Sequence, residues 1–171
     1  MRVVVWGIDP GLRDTGIVCF TFDWSVGSRG GTLTIRYFTY SDQIKMLADI
    51  SGLIGHQPSA VFIEDYRVRA GHRENKPMLE LITKLRVELH KKSNVNVTAL
   101  NNMGIKKIVT ADLMKVLQVW DFPTPTHHQD LRSAARIALF GMIKDSELNQ
   151  VLSDWFVDNV IPGARPWVLI I

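Results

Sequence analysis

The first forty residues alternate short apolar runs with turn formers, a pattern that lays down three strands before any helical period appears. Val3-Val4-Val5-Trp6-Gly7-Ile8 is a β-branched apolar run closed by Asp9-Pro10-Gly11. Such a run makes a buried strand, and Pro and Gly end it by removing a backbone donor and freeing the chain to turn. Thr15-Gly16-Ile17-Val18-Cys19-Phe20 reads as a second strand, the Gly- and Ser-rich residues 24–31 as a hairpin loop, and residues 32–40 as a third strand. The period then becomes helical. Ser41-Asp42 caps a helix whose Ile44, Leu47, Ile50, Leu53 and Ile54 form one apolar stripe, and Gly55 and Pro58 stop it.

Ala60-Val61-Phe62-Ile63-Glu64 is a short buried strand that, like the first, ends in an acid. A polar, arginine-rich loop over residues 65–76 leads to a helix that Pro77 begins and that runs to about His90, with Met78, Leu81, Ile82, Leu85 and Leu89 apolar. Residues 95–100 form the next strand, 101–104 a turn, and Thr110-Ala111-Asp112 the start of a helix reaching about Trp120. After a proline-bearing connector over residues 122–125, one helix is expected from His127 to about Ile143. A last one spans roughly residues 146–160, with Leu148, Val151, Leu152, Trp155 and Phe156 on one face. Strands and helices alternate, which indicates α/β organisation.

The chain has 171 residues, 46% of them hydrophobic, which is the size of one globular domain able to bury a substantial core. No repeat or linker divides it, so a single domain over residues 1–171 is expected, with an extra C-terminal helix and tail from about residue 144. The tail, Pro166-Trp167-Val168-Leu169-Ile170-Ile171, is apolar and reads either as an added edge strand or as a surface buried against a second subunit. The lone Cys19 excludes a disulfide framework and reads as a small buried apolar residue. No signal-peptide pattern opens the chain and no apolar run approaches the ~20 residues needed to span a bilayer. No membrane association is therefore expected, and a soluble, cytoplasmic protein is, in a bacterial or a virus-infected host cell. Asn96-Val97-Thr98 matches a glycosylation pattern, which inside a strand of an intracellular protein is chance.

A formal charge of +3 and a pI near 9.1 favour a polyanionic partner. The charge is local. Residues 65–92 hold eight basic and four acidic side chains, so that this stretch carries +4 and the rest of the chain −1. Its front, Tyr66-Arg67-Val68-Arg69-Ala70-Gly71-His72-Arg73, directly follows Glu64. Cations there neutralise phosphates, and an aromatic ring stacks on an unpaired base. Tyr66, Arg67, Arg69, Arg73 and Lys76, with Lys106 and Lys107 beyond the next turn, are the candidate DNA contacts. A solvated charged loop is the plainer alternative.

Asp9 and Glu64 each close a strand and meet if those strands are neighbours. Phosphodiester cleavage by two metal ions needs carboxylates from several elements, around hard ions that prefer oxygen ligands. A third acid is available in Thr126-His127-His128-Gln129-Asp130. Threonine with glutamine three residues on forms a capping box, making Thr126 the expected N-cap and His127 the first helical residue. Asp130 then stands one step from His127 and from Ser133 on the helix surface, where an acid also complements the helix dipole. Asp14, in the first turn, reads as a turn cap. Asp65 points to the face opposite Glu64, and His128 faces solvent or a phosphate.

Three stretches carry a family resemblance: residues 7–16 (Gly-Ile-Asp-Pro-Gly-Leu-Arg-Asp-Thr-Gly), Val61-Phe62-Ile63-Glu64, and residues 127–139 from His127-His128-Gln129-Asp130 through Ser133-Ala134-Ala135. Their order, strand acid, strand acid, helix acid, resembles the ribonuclease H-like nucleases, and among them the RuvC family of Holliday junction resolvases. The resemblance spans roughly residues 1–140. It implies a ribonuclease H-like fold, a five-stranded mixed sheet (three antiparallel strands first) flanked by helices. It also implies an endonuclease that resolves four-way junctions by paired nicks, with two Mg2+ or Mn2+ ions, as a homodimer with the Pro77 helix as its natural interface; the apolar stripe of that helix alone is equally consistent with packing on its own sheet. Branched DNA is then the partner, and Tyr66 the candidate wedge at the junction centre.

Family members carry two ligands three residues apart on the last helix. Here they are either His127 with Asp130, the pairing preferred on chemical grounds, or Asp130 with Ser133, in which a hydroxyl replaces a carboxylate. The expected catalytic and metal set is thus Asp9, Glu64, Asp130 and His127. The first hairpin also resembles the phosphate-binding hairpin of actin-like ATPases and sugar kinases, but those need two such domains. Two other functions fit the same residues: a nuclease of this fold acting on other branched DNA or RNA, and a junction-binding protein without catalysis.

Overall fold

The computed structural model of the chain describes residues 1–24, 31–66, 75–101, 103–160 and 168–170. Strand β1 (Arg2–Asp9) pairs antiparallel with β2 (Thr15–Asp23), and β2 with β3 (Thr32–Tyr40). On the other side of β1, β4 (Ser59–Glu64) runs parallel to it, followed by β5 (Val95–Leu100), parallel to β4. The expected mixed sheet with its antiparallel strands first is present, in the order β5-β4-β1-β2-β3. It gains a sixth member. Strand β6 (Val168–Ile170) lies parallel to β3 beside Leu33, Thr34 and Ile35, so the apolar tail takes the sheet edge, where β3 otherwise exposes unpaired backbone groups.

Helix α1 (Gln43–Ile54) is capped by Asp42, whose carboxylate accepts from the Ile44 and Lys45 N–H groups at 2.9 and 3.0 Å. Helix α2 (Lys76–His90) begins one residue before Pro77, because Asn75 is the cap and accepts from the Met78 N–H. The short α3 (Ile105–Ile108) falls between the expected turn and the next helix. That helix, α4 (Ala111–Val116), starts at its Thr110 cap and stops short of Trp120, because Gln118 turns into the left-handed region at φ 58°. Helix α5 (His128–Lys144) and α6 (Ser146–Asn159), capped by Asp145, complete the helices among the described residues.

The two faces of the sheet are covered differently. Val4, Trp6, Ile8, Ile17, Cys19, Val61 and Ile63 face α1 and α2, where Met46, Ile50, Ile54, Leu81, Leu85 and Leu89 meet them. The apolar stripe of α2 is therefore spent largely on its own sheet. Val5, Val18, Phe20, Phe22, Leu33, Ile35 and Phe62 face α5, α6 and the α3–α4 segment. Here α5 lies directly on the strands, since Gly7 leaves space for the Ala134 carbonyl oxygen and Gly16 for that of Asp130; a Cβ at either position would overlap those backbone atoms. Cys19 is buried and unpaired, as expected, and no helix among the described residues is long and apolar enough to cross a membrane.

Candidate metal centre

Parallel pairing of β1 with β4 is registered from Val5 opposite Ala60 to Ile8 opposite Ile63. Asp9 and Glu64 are the next residues on the two strands, so they stand side by side at one rim, on the face that Val5 and Phe62 turn towards α5. The turn after Asp9 is pinned from two directions. Gln43 on α1 donates its side-chain amide to the Gly11 carbonyl at 2.7 Å, and the Gly11 N–H donates to the Thr15 hydroxyl at 3.3 Å.

Helix α5 brings the third acid to this rim. Its first turn rests on Gly16, the residue paired with Asp9 across the hairpin. The result is electrostatic crowding. Burial, a hydrogen bond to Glu64 and the charges of Glu64 and Asp130 push the Asp9 carboxyl up to about 9, and a hydrogen bond with Ser133 offsets this in part. Three carboxyl groups thus share one site, and Asp9 keeps its proton at neutral pH in the absence of a cation.

A second group adjoins the first. His127 is the residue before α5 and adopts a left-handed backbone at φ 64° without any side-chain capping bond. The expected capping box is therefore not formed: the helix starts one residue later, and Thr126 lies outside it, its carbonyl accepting from the Thr124 hydroxyl at 3.0 Å. The His127 ring reaches Asp14 and Asp130 instead, with Nδ1 3.6 Å and 3.5 Å from their carboxylate oxygens. Ligand atoms of Asp14, His127 and Asp130 all lie within 4.8 Å of one another, close enough to hold one cation between them. Asp130 belongs to both groups.

Asp14, read from the sequence as a turn cap, is thus gathered into the site. Its signal was its place in the same hairpin turn as Asp9. His128 also differs from expectation: it is half-buried, and its Nδ1 is shielded from water without a hydrogen-bond partner. Tyr66 is half-buried just past β4, after Asp65, whose N–H donates to the Leu100 carbonyl at 2.8 Å. Arg67, Arg69 and Arg73 lie outside the described residues. Lys76 opens α2, and Lys106 and Lys107 lie on α3, all three exposed. Lys106 lines a narrow cleft of about 70 Å3 together with Glu64, Ile105, Ser133, Arg136 and Ile137. Arg136 was not singled out as a site residue by the sequence reading.

The structure is similar to Thermus thermophilus RuvC, with a TM-score of 0.58 and 19% identity over 80% of this chain and 92% of that one. The fold is that of a RuvC-type resolvase. T. thermophilus RuvC in complex with a Holliday junction substrate matches with a TM-score of 0.56 and 20% identity over 80% of this chain and 90% of that one. Fowlpox virus resolvase, in a complex with substrate Holliday junction DNA, matches with a TM-score of 0.53 and 14% identity over 88% and 99%. No protein-family model matches the sequence, and no curated protein matches it significantly. The RuvC-type fold accounts for the three antiparallel strands followed by parallel β4 and β5, the frame on which Asp9 and Glu64 become neighbours.

Proposed function

We propose that this chain is a structure-selective, metal-dependent DNA endonuclease that resolves four-way junctions, working as a homodimer that makes two symmetric nicks by two-metal-ion hydrolysis. The observation that carries this reading is the convergence of Asp9, Glu64 and Asp130 at one rim, crowded enough to hold a proton on Asp9 up to about 9. The RuvC-type fold, which similar structures carry in complexes with Holliday junction DNA, supports the choice of substrate.

The residues fit the ions. Asp9, Glu64 and Asp130 offer only oxygen donors, as Mg2+ prefers, and His127 with Asp14 and Asp130 adds an imidazole that Mn2+ accepts. Asp130 belongs to both groups and would offer its carboxylate to either. When bound, such ions activate the attacking water and stabilise the leaving oxygen. Asp9 would have to lose its proton before its carboxylate could hold a cation, and Glu64 would offer a second carboxylate from the neighbouring strand. The cations of residues 65–76 and of α3 hold the DNA backbone. Paired nicks need two sites, and a symmetric pair is the commonest way to supply them.

The test is cleavage of a four-way junction with Mg2+ or Mn2+, beside flap, linear duplex and RNA substrates. The wild type cuts the junction symmetrically and spares linear duplex. Asp9→Asn abolishes cutting and keeps junction binding, and retained cleavage in that variant overturns the assignment. One observation favours a second reading: Ser133 presents a hydroxyl to Asp9 where a carboxylate would serve a metal better. A junction that is bound but uncut with every metal identifies a non-catalytic binder, and preferential cutting of flaps or RNA a relative with another substrate.

A further inference from the structure

One cation near the acids, Arg136, has no carboxylate partner among the described residues. Arg136 lies one helical step beyond Ser133 on α5 and lines the narrow cleft that Glu64, Ser133 and Lys106 also bound. Its Nε is buried without a hydrogen-bond partner, and among the described residues no carboxylate pairs with it. A buried, unsatisfied donor on a permanent charge is costly unless something outside the chain completes it.

The guanidinium is also held in place. It sits 5.5 Å from the centre of the Trp120 ring, while Arg132 lies 4.5 Å from the same centre and is tied to the Trp120 carbonyl and, at 2.7 Å, to Asp121. Of the two arginines, Arg132 is thereby neutralised and Arg136 is not. Lys106 is exposed on a flexible stem; Arg136 is half-buried and braced by an indole.

We propose that Arg136 is a catalytic residue that donates to a non-bridging oxygen of the phosphate being cut, entering from the cleft between Glu64 and Ser133. This deepens the nuclease reading and rests on it. A cleft of about 70 Å3 suits a backbone oxyanion and not a stacked base. A fixed guanidinium is worth most as negative charge builds on the phosphate, in a place where Ser133 supplies no carboxylate for a further cation.

The experiment compares wild type, Arg136→Gln and Arg136→Lys on a four-way junction. It measures single-turnover cleavage with Mg2+, and binding with Ca2+ of intact junction and of junction carrying a neutral methylphosphonate at the cut position. Removing one such donor slows cleavage by about 100-fold in Arg136→Gln, with partial recovery in Arg136→Lys. Arg136→Gln binds intact junction more weakly than wild type, by about the factor that the methylphosphonate costs the wild type. The methylphosphonate weakens wild-type binding more than that of Arg136→Gln, a difference that a packing role would not produce. Equal cleavage rates, or equal sensitivity of both proteins to the methylphosphonate, overturn the proposal while the nuclease reading stands. A wild type that binds but does not cut overturns the nuclease reading and the catalytic role of Arg136 with it. A wild type that neither binds nor cuts branched DNA overturns both.

Discussion

On the α1–α2 face of the sheet, Trp6, Ile8, Ile17 and Ile63 fill the gap between layers with large side chains. On the α5 face, β1 and β2 offer Gly7 and Gly16, and helix backbone rests on strand backbone. The same strands thus build two kinds of contact. Bulky packing keeps a helix at a distance and makes stability; glycine packing draws a helix in until Asp130 stands with the strand acids. The acids gather at the end of the face where glycine takes the place of a side chain.

The sharpest way to break this contrast is Gly16→Val. Its branched side chain would collide with the Asp130 backbone, lifting the start of α5. A loss of about 3 kcal/mol in urea denaturation is expected, because helix and strand backbone cannot both give way. Cleavage should vanish even in the fraction that stays folded. Next in size comes the fourth ligand. His127→Ala should slow cleavage by about 100-fold and Ser133→Ala by less than about tenfold, in line with the costs of disturbing ligands and their orienting groups. The reverse order would assign the ligand position to Ser133.

A pH series sharpens the electrostatic side. Asp9 holds its proton in the folded, metal-free protein up to about 9, against 3.8 for an ordinary aspartate. Between those values the folded state binds more protons than the unfolded one, so the melting temperature of metal-free protein should fall as pH rises through that window and level off above it. Asp9→Asn should flatten the profile, and Mg2+ should stabilise the wild type more at pH 8 than at pH 6. The smallest effect is expected on the opposite face. Ile50→Val, in the fully buried α1 contact, should cost about 1 kcal/mol by denaturation and leave the cleavage rate unchanged.

Much of the frame was legible because it rests on local signals. Apolar runs closed by Asp-Pro-Gly or by Glu64 declare strands, and Asp42 declares a helix start. Asp9 and Glu64 were visible for the same reason, since an acid that ends an apolar run has few places to point. What escaped depends on tertiary geometry. The capping box at Thr126 is a local pattern, and the left-handed His127, drawn between Asp14 and Asp130, overrides it. Asp14 was read as a turn cap and not as part of the site, because a hairpin turn can aim its side chain to either face. Arg136 could not be assigned, because its neighbours, Trp120 and Glu64, lie 16 and 72 residues away in the chain.

The tail strand β6 has a meaning for solubility. It runs beside Leu33, Thr34 and Ile35, the end of β3 that faces away from the acids, and leaves residues 36–40, at the rim end, without a strand beyond them among the described residues. Arg36, in that open portion, keeps its guanidinium over the Trp6 ring at 5.4 Å, and a charge on an open edge discourages strand addition. The apolar end has no such guard. If β6 detaches, the stretch around Leu33 and Ile35 becomes a template for another chain, so self-association should begin at the end of β3 that lies away from the acid rim.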